Sequence, residues 1–281
     1  MYWHVLAGQT VFPVQMAVRL KIPLIIWGVH QGCDQVGMFS HLDEVVMTRK
    51  YRKEHDLMGF EAEDLVDQAA GISDSDVVPY LYPHDKEIEK IGVRGIYLSN
   101  YLLLDSKQQH ELMIDIYGYE TAAQQRTFDT YNDVDCQHYS GVHDYIKFLK
   151  YGYGKVTDHA CREIRLKRLT REEGIDLVAA YELRQPQDVP RFLEWLEMPA
   201  EEFFSLVDRH RDQAIWQPNG QGDWNLMDSI LHHRADAGVD QVRLEKQEGC
   251  HFRLTPSKDP QAREDEPVIL ARGWVDAQNY D

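Results

Sequence analysis

Eight basic side chains and only two acidic ones lie between residues 147 and 171 of a chain that is otherwise acidic. The formal charge of this basic segment is therefore +6, whereas the whole 281-residue chain has a net charge of −17. Clustered lysine and arginine side chains can hold phosphate groups, and a solvated helix face is the alternative interpretation. The eight cations are Lys147, Lys150, Lys155, Arg162, Arg165, Lys167, Arg168 and Arg171, and the two acids are Asp158 and Glu163.

The basic segment also contains signals for helix starts. The glycines in 152–154 end a helix predicted over residues 142–151, and Thr157 is predicted to cap the next helix. On that helix, Asp158, Arg162 and Arg165 are spaced by four and three residues, which predicts a shared polar face. Helix starts present unpaired N–H groups and the positive end of the helix dipole, both of which favour an anion.

A capping-box pattern opens the helix after that. Thr170 is followed three residues later by Glu173, which is the spacing at which the two side chains and backbones cap each other. We therefore predict that Glu173 has a structural role rather than a catalytic one.

The N-terminal half is predicted to form an α/β layer. Residues 21–28 are a short apolar run closed by glycine, which indicates a buried parallel strand, and 95–104 is the second strand candidate. A helix is predicted over 13–20, with Pro13 in its first turn. Ligands of such sheets bind beyond the carboxyl ends of the strands, which is where the loop at 28–32 lies, but from position alone a simple strand-ending turn is the better explanation of its glycines.

Composition narrows the class of protein. The acidic net charge argues against binding to nucleic acid, and the longest apolar run, 22–27, is too short to insert into a membrane. The four cysteines lie far apart without a C-x-x-C pair, so we predict no metal site and reduced thiols. These features predict a cytoplasmic protein.

Four segments, in order along the chain, resemble the N-acetyl sugar amidotransferases of surface-polysaccharide biosynthesis. They are PVQMAV at 13–18 running into IPLIIWG at 22–28, GIYL at 95–98, KYGYGKVTDH at 150–159 and LTREEG at 169–174. The resemblance implies the fold of the PP-loop ATP pyrophosphatases, which are adenine nucleotide alpha hydrolase-like. It extends from the first residues to about Trp216.

The resemblance implies an enzyme that converts a sugar acetamido group to an acetamidino group. Such an enzyme uses ATP and Mg²⁺, and it takes ammonia from a partner glutaminase subunit. Its substrate would be an acetamido sugar or a sugar nucleotide of O-antigen or lipopolysaccharide biosynthesis. Transfer of adenylate to the amide oxygen explains the need for ATP, because it makes a poor leaving oxygen displaceable by ammonia.

Matching residues to the family pattern yields candidate site residues. Lys155, Asp158 and His159 are candidates for catalysis, in which the carboxylate or imidazole would orient substrate or move a proton. Without the family match, a favourable position in a first helical turn would explain Asp158, and pairing with a glutamate would explain Arg165. The candidates for substrate or phosphate binding are Lys150, Arg165, Arg171, Gly28, His30 and Asn100.

The chain departs from the family pattern in three places. Residues 1–281 contain no serine- and glycine-rich loop ending in Lys-Asp-Ser, which in the superfamily cradles phosphates. Residues 2–6 read YWHVL where the family has a Cys-Trp-His-Cys-type stretch, and Val29 replaces a glutamate after Gly28. Three explanations remain open: a misassigned start, a separately encoded N-terminal half, or a non-catalytic subunit that binds sugar nucleotide or acts as a scaffold for the amidotransferase complex.

We therefore predict an α/β protein with an incomplete PP-loop parallel sheet, followed by a mainly helical C-terminal region. The predicted domains are a partial ATP pyrophosphatase domain at 1–140, a helical substrate- and phosphate-binding region at 141–255 and a tail at 256–281.

Overall fold

A computed structural model describes residues 3–28, 46–67, 70–101, 105–130 and 137–236. The described residues fall into two compact units, one up to residue 101 and one from residue 105 onward. The sequence placed its domain boundary at 140, whereas 105–130 belongs to the second unit, where Arg126 and Thr127 are fully buried. His30 and the predicted tail lie outside the described residues. No helix in the described part of the chain has the length and apolar character needed to cross a membrane.

The first unit surrounds a two-stranded parallel sheet. In chain order its elements are α1 (Trp3–Leu20), β1 (Leu24–Trp27), α2 (Arg49–Tyr51) continuing into a π-helical turn (Arg52–Asp56), α3 (Asp74–Val77), α4 (Asp85–Ile91) and β2 (Arg94–Tyr97). Single 3₁₀ turns lie at Ala62–Leu65, Val78–Tyr80 and Leu98–Asn100.

The predicted parallel strand is confirmed, but its predicted burial is wrong. In β1, Leu24 lies opposite Arg94 of β2, and the strands run parallel. Ile26 is 59% exposed, whereas Ile25 packs against the core of the unit. The reason is that successive side chains of a strand point to opposite faces. Within the described residues only one face of β1 is covered, and β2 is its only partner.

The predicted first helix extends further upstream than its proline suggested. Helix α1 begins at Trp3, so Pro13 lies in its interior, and the prediction of a first-turn proline was wrong. Apolar residues at steps of three and four continue through the upstream part and form one buried face, which stabilises the longer helix. This face consists of Trp3, Ala7, Val11, Val14 and Ala17.

The second unit is mainly helical, as predicted. Its elements are α5 (Ser106–Tyr117), α6 (Gln137–Tyr151), α7 (Lys155–Arg165), α8 (Arg171–Tyr181), α9 (Val189–Leu196), α10 (Ala200–Asp208), β3 (Trp216–Pro218), β4 (Trp224–Leu226) and a 3₁₀ turn (Ile230–His233). The strands β3 and β4 form an antiparallel hairpin that the sequence analysis did not predict.

Aromatic and aliphatic side chains from α6, α9, α10 and β3 form the main core of this unit. Each such side chain contributes about 1.5–3 kcal/mol when fully buried. A smaller core between α7 and α8 contains Val156, Ala160 and Val178. The main core consists of Val142, Phe148, Leu149, Val189, Phe192, Phe203, Val207 and Trp216.

The start of α7 differs from the prediction. Helix α7 begins at Lys155 and its N-cap residue is Gly154, so the prediction of Thr157 as the cap was wrong. Glycine has no side chain to accept an N–H bond, and carboxylates from other elements cap the helix instead. Asp144 accepts from the Lys155 backbone N–H and Glu182 accepts from that of Gly154. The capping box of Thr170 and Glu173 at the start of α8 is confirmed.

Candidate functional site

A small polar cavity of about 220 Å³ lies beside the start of α7. Lys155 lines it together with Gln124, and α6 contributes His138 and Ser140. Asp188, immediately before α9, is also part of the lining. The cavity thus combines an amine, an amide, a hydroxyl, an imidazole and a carboxylate, which can together bind a polar ligand.

The Lys155 ammonium is held in this cavity by two neutral oxygens. Its Nζ donates to Ser140 Oγ at 2.5 Å and to Gln124 Oε1 at 3.2 Å. Burial lowers the pKa of Lys155, and the positive charges of Arg126 and Lys147 act in the same direction. Because no carboxylate accepts from Nζ among the described residues, its charge remains available to an anionic ligand.

The cavity lining also includes a histidine that is hydrogen-bonded to an aspartate. His138 Nδ1 lies 2.9 Å from Asp188 Oδ1, and His138 Nε2 lies 3.0 Å from Arg191 Nη1. Since guanidinium only donates, Nε2 accepts and Nδ1–H donates to the carboxylate. Gln125 Nε2 also donates to Asp188, at 3.2 Å. The imidazole is therefore oriented on both sides.

A buried ionic network fixes the connection between α6 and α7. Arg126 Nε donates to Asp144 Oδ2 at 2.6 Å, and the Lys155 backbone N–H donates to Asp144 Oδ1 at 2.5 Å. Gly154 passes so close that an added Cβ would lie 2.9 Å from Asp144 Oδ2. Position 154 therefore requires glycine, because a methyl group would push the ion pair apart.

Glu182 completes this network from beyond α8. Its Oε1 accepts from the Gly154 N–H at 2.7 Å and from Thr157 Oγ1 at 3.3 Å, while Oε2 is buried without a hydrogen-bond partner in the described part of the chain. Burial raises the pKa of Glu182 to about 7, and the nearby Asp144 carboxylate acts in the same direction. A buried carboxyl group with such a pKa changes its charge near neutral pH.

Asp158 is tied to a lysine on the preceding helix. Lys147 Nζ lies 2.5 Å from Asp158 Oδ2, and the same ammonium lies 4.5 Å from the centroid of the Tyr153 ring. Burial raises the pKa of Asp158, and Lys147 opposes that shift. The pair links α6 to α7, so Asp158 is not merely a favourable charge in the first helical turn.

His159 lies inside the protein. It is 2% exposed, and its Nδ1 is 2.7 Å from Thr127 Oγ1. Burial lowers its pKa to about 4, although Asp129 opposes the shift, so the imidazole is neutral at pH 7. The hydrogen bond between His159 and Thr127 therefore joins α7 to the chain segment around Thr127.

Two further cations of the basic segment are committed to carboxylates. Arg162 is buried and donates to Asp129 and Glu163, and Arg168 donates to Glu163 and Asp105. Arg162 was predicted to share a polar face with Asp158 and Arg165, but its side chain is buried, and a buried guanidinium requires acceptors. These two arginines therefore hold the fold together rather than a phosphate.

The other site candidates from the basic segment do not line the cavity of Lys155. Lys150 Nζ lies 4.9 Å from the Tyr151 ring centroid, and Arg165 is exposed at the end of α7. Arg171 donates to the backbone carbonyls of His233 and Arg234. The structure thus brings Lys155, rather than the whole basic segment, to the candidate site.

In the first unit, Gly28 and Asn100 follow the carboxyl ends of β1 and β2, respectively. Gly28 O accepts from the Ser99 N–H at 3.1 Å, and Asn100 ends the 3₁₀ turn after β2. Because β1 and β2 are parallel, both residues lie at the sheet edge where ligands of α/β proteins bind. Their role in substrate binding remains a prediction.

Several cavity and network residues were missed by the sequence analysis. Ser140 and His138 precede the segment in which the basic charge is concentrated, and Arg126 and Asp144 are separated by 18 positions with no local pattern. The one sequence signal for this site was the concentration of positive charge around Lys155 in an otherwise acidic chain. Among the described residues, no group of three or more His, Cys, Asp or Glu side chains could hold a metal ion.

Part of the second unit matches a family model. No curated protein matches the chain. Residues 125–231, which include Arg126, Lys155 and Glu182, match the family model described as LPS biosynthesis protein WbpG-like, C-terminal domain.

Proposed function

We propose that this chain acts in lipopolysaccharide biosynthesis and that its helical unit binds the acetamido sugar of an amidotransferase reaction. The observation that supports this most directly is the position of Lys155. This residue belongs to the KYGYGKVTDH segment, lies within the range that matches the family model and projects its ammonium into a polar cavity.

The cavity suits a single sugar or phosphate group. Its volume of about 220 Å³ is below the ~300–1,000 Å³ typical of pockets for larger ligands. The Lys155 ammonium would donate to a phosphate or carbonyl oxygen, and the Gln124 amide and Ser140 hydroxyl would bond the sugar hydroxyls or the acetamido group. A larger sugar nucleotide would extend out of the cavity.

The proposed reaction has two steps, adenylation of the acetamido oxygen and its displacement by ammonia. The acetamido oxygen attacks the α-phosphorus of ATP, so that pyrophosphate leaves and an O-adenylated imidate forms. Ammonia then attacks the imidate carbon, AMP leaves with the original oxygen, and an acetamidino group results. Ammonia would come from a partner glutaminase. His138, held by Asp188 and Arg191, is placed to orient polar groups at the cavity rim.

The described residues do not form a magnesium site of their own, since they contain no cluster of three potential ligands. Magnesium is commonly bound by one or two carboxylates together with substrate phosphates. We therefore assign no residue to Mg²⁺ and derive no step through it.

The test compares two lysines from the same segment. We expect Lys155→Met to weaken binding of UDP-N-acetylglucosamine and of N-acetylglucosamine 1-phosphate at least tenfold in calorimetry, because a charge-assisted hydrogen bond contributes about 1.5–3 kcal/mol. Lys150→Met is the matched control and should change the affinity less than twofold. Equal binding by wild type and Lys155→Met would refute the site.

The alternative function is a subunit that binds the sugar nucleotide, or holds the complex together, without turnover. The Lys155 cavity would serve such binding without a catalytic step. Pyrophosphate release with ATP, magnesium, ammonia and UDP-N-acetylglucosamine distinguishes the two. We expect measurable sugar binding but little pyrophosphate release, because misplacing reacting groups by ~1 Å can lower a rate about a hundredfold.

A further inference from the structure

A second concave surface of the helical unit has a different chemistry from the Lys155 cavity. A groove of about 780 Å³ lies between α6, α10 and the β3–β4 hairpin. Its floor is aromatic, with Tyr145, Phe148 and Trp216, and its rim is polar. The volume is within the ~300–1,000 Å³ of small-molecule sites, which are mostly apolar with a few placed polar groups. No residue is shared with the lining of the Lys155 cavity.

Arg211 is held rigidly in this groove. Its side chain is 8% exposed, and its Nε donates to Asp208 Oδ1 at 2.6 Å. The guanidinium carbon lies 4.4 Å from the centroid of Trp216 and 5.1 Å from that of Trp224. Nη1 reaches Leu149 O at 3.5 Å, whereas Nη2 has no partner in the described residues. The nearly buried arginine therefore presents a fixed, unused donor to the groove.

Other unused hydrogen-bonding groups surround this donor. The side chains of Asp223 and Asn225 line the groove and make no hydrogen bond within the described residues, and both are exposed. The indole Nε1 of Trp216 is buried and also lacks a partner there. Trp224, which also lines the groove, is half-buried. The groove thus combines indole faces with a donor, a carboxylate and an amide.

The charge of the groove indicates which ligand it fits. Asp208 and Asp223 outnumber Arg211, so the lining carries a net negative charge that disfavours phosphate and carboxylate groups. A pyranose ring has an apolar C–H face that packs on an indole and hydroxyls that both donate and accept. The polar rim can pair with hydroxyls that donate and with hydroxyls that accept a hydrogen bond, because Asp223 accepts, Arg211 donates and Asn225 does both.

We infer that this hairpin groove is a binding site for a neutral saccharide, separate from the site of the anionic or nucleotide-linked sugar. The inference does not depend on the amidotransferase reaction, because the two surfaces share no lining residue. A protein that binds one sugar as substrate and a neutral saccharide at a second surface can hold a growing glycan near the modified sugar.

The test is saturation-transfer NMR on the full chain, with cellobiose, maltose and N,N′-diacetylchitobiose as probes and glucuronic acid as the anionic comparison. We expect transfer to at least one neutral disaccharide, with a dissociation constant in the millimolar range or tighter, and weaker transfer to glucuronic acid. Trp224→Ala should weaken the binding at least tenfold. Asn225→Ala, at an exposed position that does not support the core, should weaken it severalfold.

Trp195→Ala is the matched control, since Trp195 is 65% exposed on α9 and lies outside the groove. It should leave binding unchanged. Lack of transfer to all three neutral disaccharides overturns the inference, as does equal binding by wild type and both groove variants. Preferential binding of glucuronic acid would contradict the charge argument. If a bound protein, and none of the saccharides, shielded the groove residues from solvent, the groove would be a protein interface instead.

Discussion

Replacing Glu182 by glutamine should change how the stability of this protein depends on pH. Glu182 is 3% exposed, and its Oε1 accepts from the Gly154 N–H at the start of α7. Glutamine retains this acceptor, and its carbonyl oxygen can still receive the bond from Thr157. The substitution therefore removes the ionisation of the side chain with little change in its shape.

The magnitude follows from the pKa. Burial raises the pKa of Glu182 from 4.5 to about 7, so the folded protein binds this proton more tightly than the unfolded chain. The resulting stabilisation is fully present below pH 4.5 and is lost as the pH rises through 7. A shift of about 2.5 units at ~1.36 kcal/mol per unit corresponds to a loss of about 3 kcal/mol.

The assay is urea unfolding of wild type and Glu182→Gln at several pH values from 4.5 to 8. The free energy of unfolding of the variant should rise relative to wild type with increasing pH, by about 3 kcal/mol in total. His159 acts in the opposite sense: burial lowers its pKa to about 4, so its contribution grows as the pH rises from 4 to 6.5. This contribution is common to both proteins and cancels in the difference.

Glu172→Gln, at an exposed position on α8, is the control and should reproduce the wild-type pH dependence. If Glu182→Gln also follows the wild-type curve over the whole range, Glu182 is ionised in the folded state at neutral pH. The assignment of a raised pKa to the buried Glu182 carboxyl group would then be wrong.

Two further pairs of variants test the packing, one pair in each unit. Arg52 is fully buried, its Nη1 lies 3.7 Å from Asp56 Oδ2, and its guanidinium makes no hydrogen bond within the described residues. Arg52→Met/Asp56→Leu should therefore be neutral or raise the free energy of unfolding by about 1–4 kcal/mol. Asp56→Ala alone should lower the free energy of unfolding by about 3–5 kcal/mol, because it leaves the buried Arg52 charge without a partner. A double variant that is less stable than Asp56→Ala in chemical denaturation would disprove this explanation. Gly152→Ala should cost more than Gly220→Ala; both positions have positive φ, but only at 152 would a Cβ lie 2.6 Å from Ile215 Cγ2. Equal melting temperatures for the two alanine variants would contradict that clash.

The helical half was largely predictable because its signals are local. The breaks at the glycines of 152–154 and the capping box of Thr170 and Glu173 depend on residues within one helical turn. Hydrophobic spacing likewise predicted the strand that became β1 and its parallel orientation. Pro13 misled the prediction because the apolar repeat of α1 continues on both sides of it.

The candidate site depended on contacts that sequence spacing does not encode. Charge composition identified Lys155 as one of eight cations, but only the fold shows that it enters a cavity beside Ser140, whereas Arg162 and Arg168 bind carboxylates. Glu182, 28 positions from the Gly154 N–H that it caps, has no local signature. The physical reason is that burial and ion pairing arise from the packing of distant segments. A basic sequence therefore specifies charge, and tertiary structure determines which of those charges remains available to a ligand.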